Sequence, residues 1–128
     1  MSEFQYDLVI IGAGPGGYEA AYEAADFGMK VALVEKDLVG GTCLNRGCVP
    51  TKTMMHSSDA YRIATRSANI GVTAEGVKAD LNRIIDRKCE VSETLREGIM
   101  FLLKKKKVDF VAGTAKVTDG HTVEISGN

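Results

Sequence analysis

The sequence predicts an α/β fold, the first part of a doubly wound parallel sheet, and three observations carry that prediction. An apolar run from Tyr6 to Ile11 leads straight into the turn Gly12-x-Gly14-x-x-Gly17. An alanine-rich helical stretch follows from Tyr18 to Phe27, and a second apolar run, Lys30 to Val34, ends in Glu35. Strand, glycine turn, helix and strand come in the order of a dinucleotide-binding (Rossmann-like) unit, with the ligand at the carboxyl ends of the strands.

Each element has its own physical reason. The run before Gly12 reads as a buried strand. Gly12 makes the tight turn, Gly14 lets the backbone approach a pyrophosphate, and Gly17 lets helix and strand pack closely. Pro15 and Gly16 complete the turn, and a diphosphate would rest on the amides of the helix N-terminus. Glu35 stands about twenty residues on, the spacing of an acid that binds ribose hydroxyls, with Lys36 beside it at the same strand end.

The stretch Gly40 to Lys52 reads GGTCLNRGCVPTK, with Cys43 and Cys48 five positions apart. Bridging needs α-carbons about 4.4–6.8 Å apart, whereas residues five apart are separated by roughly 16 Å in a strand and roughly 8–9 Å in a helix. Only a bent segment closes the pair. Gly47 supplies the freedom for that bend, and Pro50, Thr51 and Lys52 fit the first turn of a helix beginning near Cys48. A thiolate at Cys48 is favoured by that helix start, while Cys43 lies on the earlier, looser arm of the bend. Lys52 stands one helical turn beyond Cys48 on the same face. A simple nicotinamide dehydrogenase has no need of a cysteine pair in this crevice. A flavin and a neighbouring disulfide can exchange two electrons across a short contact, so the pair points to FAD rather than NAD in this first site.

Beyond the redox helix, Gly71 and Gly76 punctuate a link to a long amphipathic helix, Asp80 to Lys107. Its apolar stripe is Leu81, Ile84, Ile85, Val91, Leu95, Ile99, Leu102 and Leu103. The basic run Lys104 to Lys107 closes it, where lysines complement the helix dipole. Cys89 reads as a free thiol away from the redox loop. Val108 to Ala112 reads as a further parallel strand, and Gly113 to Ile125 as a small antiparallel β-meander around an Asp119-Gly120 turn.

With 128 residues, 45% of them hydrophobic, and a net charge of −1, the chain forms one small globular domain. That balance argues against a nucleic-acid partner. No run is long and apolar enough for a membrane span, and MSEFQYD lacks a signal peptide's basic and apolar regions, so a cytoplasmic location is expected. Cys43, Cys48, His56 and His121 have no metal-ligand spacing, and no metal is expected.

GAGPGGYEAA followed by VEKDLVGGTCLNRGCVPTK resembles the opening of the FAD-dependent pyridine nucleotide–disulfide oxidoreductases. GGTCLNRGC is most similar to the branch of that family that oxidises dihydrolipoamide with NAD. GIMFLLKKKKVDFVAGTAKV and HTVEI are similar to the same family's first domain, so the resemblance covers nearly the whole chain.

The resemblance implies that residues 1–128 are the N-terminal, incomplete part of an FAD-binding domain, with the NAD and dimerisation domains absent. It implies a dihydrolipoamide-type dithiol as substrate, lipoamide and NADH as products, and FAD as cofactor with NAD for the complete enzyme. Cys43 would be the thiol that exchanges with substrate, Cys48 the one against the flavin ring, and Lys52 a cation near that ring. Gly41 and Thr42 would meet the diphosphate, and the backbone from Gly113 to Ala115 the adenine. A homo-oligomer is implied, serving a lipoyl-bearing 2-oxo acid dehydrogenase or glycine cleavage complex. Relatives that reduce glutathione, trypanothione or mercuric ion share the motif, so another substrate stays open. So does a non-catalytic nucleotide-binding module, since the chain alone is expected to be inactive and to bind flavin weakly.

Departures from the family pattern are Thr51 for a serine and Met54-Met55 for alanine and leucine. The family's C-terminal histidine base has no counterpart in His56 or His121. The resemblance also places the first strand, Asp7 to Ile11, at the centre of its sheet with one side left bare, so the chain is expected to pair with itself or with the rest of its protein.

Overall fold

The computed structural model describes residues 4–127. Strand β1 (Leu8–Ile11), helix α1 (Pro15–Asp26) and strand β2 (Val31–Glu35) form the expected unit. β1 runs parallel to β2 with Leu8 opposite Val31 and Ile11 opposite Val34. Strand β3 (Asp109–Ala112) lies parallel on the other side of β2, Leu33 opposite Phe110, and the sheet order is β1-β2-β3. Flanked on both sides, Val31 to Val34 are at most 1% exposed.

β1 departs from the expectation of a buried strand. It is half-buried and its last residue, Ile11, is 50% exposed. The reason is its place: among the described strands β2 alone pairs with it, and its outer edge is bare.

α1 starts at Pro15, whose fixed φ suits a first helical turn. It lies close against the sheet because position 17 has no side chain: a Cβ on Gly17 would fall 1.8 Å from the Gly12 carbonyl oxygen. Ala21, Tyr22 and Ala24 face the core, and the Tyr22 hydroxyl donates 3.0 Å to the Ile99 carbonyl.

Helices α2 (Gly41–Arg46) and α3 (Cys48–Arg66) meet at Gly47. A 3₁₀ turn (Ser67–Ile70) and an irregular link lead to α4 (Leu81–Lys105), whose cap Asp80 accepts the Arg83 N–H at 3.1 Å. α3 runs out from the sheet and α4 returns beside it, the far end leaving a groove lined by Tyr61, Ala64, Val77 and Ile84. Only Ser92, Ile99 and Leu103 of α4 are buried. Of its expected apolar stripe, Leu81, Ile85 and Leu95 stay exposed.

The lysine run is absorbed by the end of α4. Lys104 and Lys105 occupy its last turn, Lys106 pairs with Asp26 and lies 5.8 Å from the Tyr22 ring centroid, and Lys107 adopts φ 58°. The Val108 N–H reaches back to Leu103 O at 3.0 Å and the Lys107 N–H to Lys104 O at 3.1 Å, the paired bonds of a left-handed helix stop that normally selects glycine.

The C-terminal unit is a single hairpin rather than a meander. β4 (Thr114–Asp119) and β5 (Thr122–Ser126) pair antiparallel with an irregularity between Val117 and Asp119. That irregularity moves the turn one residue on, to Gly120-His121. There the Asp119 side chain accepts the His121 N–H at 2.8 Å, and Phe4 stacks on His121 at 5.0 Å.

Lys107→Gly removes the left-handed penalty and should stabilise the chain by about 0.5–1 kcal/mol, read as a higher urea midpoint at unchanged slope. Burial, ahead of the nearby Glu19 and Tyr18, pushes the Tyr22 phenol up to about 12 from 10.0. The raised value favours the neutral phenol in the folded chain. Its contribution is therefore complete below pH 10 and is lost as pH rises towards 12. Tyr22→Phe should abolish that alkaline slope and cost about 1 kcal/mol at neutral pH.

Candidate redox and dinucleotide site

The carboxyl ends of the three strands are joined by short backbone bonds. Gly12 N–H donates to Val34 O at 2.7 Å, Gly40 N–H to Ala13 O at 2.7 Å, and Gly113 N–H to Glu35 O at 2.8 Å. The Glu35 carboxylate accepts the Ala13 N–H at 2.7 Å and the Asp37 N–H at 2.9 Å, one on each oxygen. Each oxygen keeps a second lone pair, so Glu35 both ties the loops together and remains able to take a hydroxyl.

The loops also touch where no side chain fits. Gly41 has φ +61°, and a Cβ there would fall 2.8 Å from the Gly14 α-carbon. Gly40, φ +97°, would drive a Cβ to 2.6 Å from Leu44. What lines the crevice is therefore backbone. Gly16, in the first turn of α1, is exposed with open space around it, and first-turn amides have no helical acceptor. This donor set fits an anionic diphosphate.

Gly12, Gly14, Pro15, Gly16, Gly17, Glu35, Gly41 and Gly113 thus stand at or just beyond the carboxyl ends of the three strands, Gly17 against the Gly12 carbonyl and Gly113 against the hairpin. Lys36 follows Glu35 and is exposed, and Thr42 is exposed on α2. Ala115 is set apart: it is half-buried in β4, paired with Ile125, and carried by the hairpin rather than the parallel sheet.

Both cysteines are carried by helices. Cys43 lies in α2, not on a loose arm, because Leu44 is anchored in the core and the Asn45 side chain ties the helix to its own start. Cys48 is the first residue of α3. The bend falls at Gly47, where a Cβ would crowd Thr42 O at 3.2 Å and the Cys43 α-carbon at 3.5 Å. Cys43 is half-buried, Cys48 exposed, and both are thiols. The Cys48 thiol beside it, followed by burial and the Cys48 charge, pushes the Cys43 thiol up from its ordinary value of 9.0. A backbone bond at Cys48 and the charge of Lys52 pull it partly back. Lys52 is exposed one turn along α3, and its charge is one of the causes that lower Cys43. Cys89 is exposed on α4, His56 lies on α3 and His121 in the hairpin turn.

Sequence reasoning missed three polar side chains. Asn45 Nδ2 donates to Gly41 O at 2.9 Å and Val39 O at 3.0 Å, Arg96 donates to Asn45 Oδ1 at 2.8 Å, and Ser92 donates to Leu44 O at 3.2 Å. Asn45 stood inside the cysteine motif. Ser92 and Arg96 gave no local signal.

Comparison with known proteins adds to this geometry. The family model described as pyridine nucleotide-disulphide oxidoreductase matches residues 6–128. The chain is 44% identical over 124 residues to a dihydrolipoyl dehydrogenase of Acholeplasma laidlawii, covering 96% of this chain and 37% of that protein. It is 42% identical over 125 residues to a dihydrolipoyl dehydrogenase of Chlorobaculum parvum (98% and 27%). With one from Bacillus subtilis it shares 44% over 119 residues (93% and 25%). The chain spans about a quarter to just over a third of the length of these relatives.

The thiol contact makes a pH prediction. Alkylation of Cys43, followed by peptide mass, should have a midpoint above that of a model thiol. Cys48→Ala removes the first cause of the rise and should bring the midpoint down, while Lys52→Met should move it up. An unmoved midpoint in Cys48→Ala would show that the contact does not govern Cys43.

Proposed function

Because the chain belongs to the pyridine nucleotide-disulphide oxidoreductase family, we propose that it supplies the dithiol–disulfide half of a dihydrolipoyl dehydrogenase reaction, as the amino-terminal part of an FAD-binding domain. The observation that carries this reading is the placement of Cys43 in α2 and Cys48 at the head of α3, on either side of the tight bend at Gly47 and next to the backbone-lined loops that follow β1 and β2. In the proposed reaction a dihydrolipoamide-type dithiol gives two electrons and two protons to a Cys43–Cys48 disulfide. It leaves as the cyclic disulfide, and two protein thiols remain. Cys43 is the exchanging thiol and Cys48 its partner, while Lys52 stabilises negative charge on the pair. FAD held in the crevice would supply the two-electron acceptor that passes electrons on to NAD. Gly12 to Gly17 and Gly41 would hold its diphosphate through backbone, Glu35 its ribose, and Gly113 with Ala115 the adenine side.

In this reading the NAD site and the dimer contacts would lie in further sequence of the same protein. The bare edge of β1 and the exposed apolar side chains Ile63, Ile70 and Leu81 favour association with that sequence or with a second copy. A lipoyl-bearing 2-oxo acid dehydrogenase or glycine cleavage complex would present the substrate. Among the described residues no helix is long and apolar enough to cross a membrane.

Mild oxidation of the purified chain should consume two thiols and leave Cys89. Dihydrolipoamide should restore both, and Cys43→Ser or Cys48→Ser should abolish the exchange. The 128 residues alone should bind FAD weakly and form no NADH from dihydrolipoamide and NAD. Three thiols that resist oxidation would overturn the reading.

A further inference from the structure

We propose that Ser92 and Arg96 of α4 are positioning residues for the Cys43–Cys48 pair, acting through the C-terminal turn of α2. The proposal rests on the reading of these cysteines as a redox pair.

α2 is six residues long, begins at Gly40 and Gly41 in left-handed backbone and ends at Gly47. A helix so short has no stability of its own, and while Gly40 and Gly41 fix its start, the glycine at its far end, Gly47, leaves its last turn free to swivel against α3. Cys43 rides on α2 and Cys48 on α3, so the relation of the two sulfurs is the relation of the two helices. Leu44 anchors the inner face of α2 in the core. Its last carbonyls lack helical donors, and α4 supplies what is missing there. Ser92 donates to Leu44 O at 3.2 Å. Arg96 donates to Asn45 Oδ1 at 2.8 Å and so fixes which way that amide faces, leaving Nδ2 towards Gly41 O and Val39 O.

Ser92 and Arg96 are four residues apart, on one face of α4. Ser92 is 4% exposed and the Arg96 side chain 18%. Polar groups so buried cost stability unless bonded. Apart from Glu93 on the same helix, the side-chain partners of both lie in α2. Their placement is explained by α2 and by nothing in the apolar core.

The test is a thiol–disulfide equilibrium in which protein dithiol and oxidised dithiothreitol give protein disulfide and reduced dithiothreitol, two electrons and two protons changing hands. It is run in a Cys89→Ser background, with the pair counted by mass after alkylation. Releasing the clamp lets α2 swivel and lowers the advantage each thiol has as partner of the other. Arg96→Met and Ser92→Ala should each lower the disulfide-forming constant by about 3- to 10-fold, a tenfold drop being about 30 mV.

Arg96→Lys keeps a donor and should recover part of the loss. Arg83→Met, which removes an exposed ion pair with Glu90 on the same helix, should leave the constant unchanged. Ser92→Ala carries the test alone if Arg96→Met does not melt cooperatively. Constants within about twofold of the parent in cooperatively melting variants, below the change that one lost hydrogen bond implies, would overturn the clamp and leave the redox pair standing. A parent that forms no Cys43–Cys48 disulfide overturns both.

Discussion

Where the chain leaves β1 and again where it leaves β2, the two loops meet backbone against backbone. Gly40 N–H donates to Ala13 O, and a Cβ on Gly41 would overlap the Gly14 α-carbon at 2.8 Å. Only residues without side chains permit this approach, and the Glu35 carboxylate locks it by taking the Ala13 N–H. The crevice depends on that closeness. It brings the start of α1 and the start of α2 side by side, so one ligand can meet both, and it sets α2 directly on the core through Val39 and Leu44. The wall it offers is peptide amides, which suit a diphosphate by dipole and geometry rather than by net charge.

From this fixed start the chain makes two short moves that carry the chemistry. One helical turn delivers Cys43, and the bend at Gly47 delivers Cys48 at the head of α3. Gly47 can bend this tightly because it has no Cβ to strike the Thr42 carbonyl. Local chain geometry therefore brings the two cysteines to either side of one bend, and the neighbouring Cys48 pushes the Cys43 thiol up.

Most of the elements were legible because their causes are local. The Gly12 to Gly17 spacing and the β2 run each read from a few consecutive residues. The bend between Cys43 and Cys48 was legible for the same reason, since Gly47 stands directly before the second cysteine. What was not legible depends on partners distant in sequence. β1 reads as buried because it is apolar, yet burial is decided by neighbours, and β2 is its sole strand partner among the described residues. Cys43 reads as the looser arm because it precedes the bend and the helix start at Cys48, yet Leu44 and Asn45 hold it in a helix of its own. The glycine stop at the end of α4 was hidden because a lysine, Lys107, fills it.

α4 shows the limit of periodicity most clearly. The apolar stripe runs through Val91 and Leu95, whereas the buried residues are Ser92, Ile99 and Leu103, with Arg96 half-buried on the same face. The two coincide at Ile99 and Leu103, where the helix packs on the core, and diverge by one residue in the turns that pass α2. A core demands apolar side chains, whereas the end of a short helix offers bare carbonyls and an amide, which demand donors. The helix meets both by changing composition and keeping its face. Hydrophobic spacing reads only the first demand, so the turns of α4 nearest the cysteines are the ones that it misplaces.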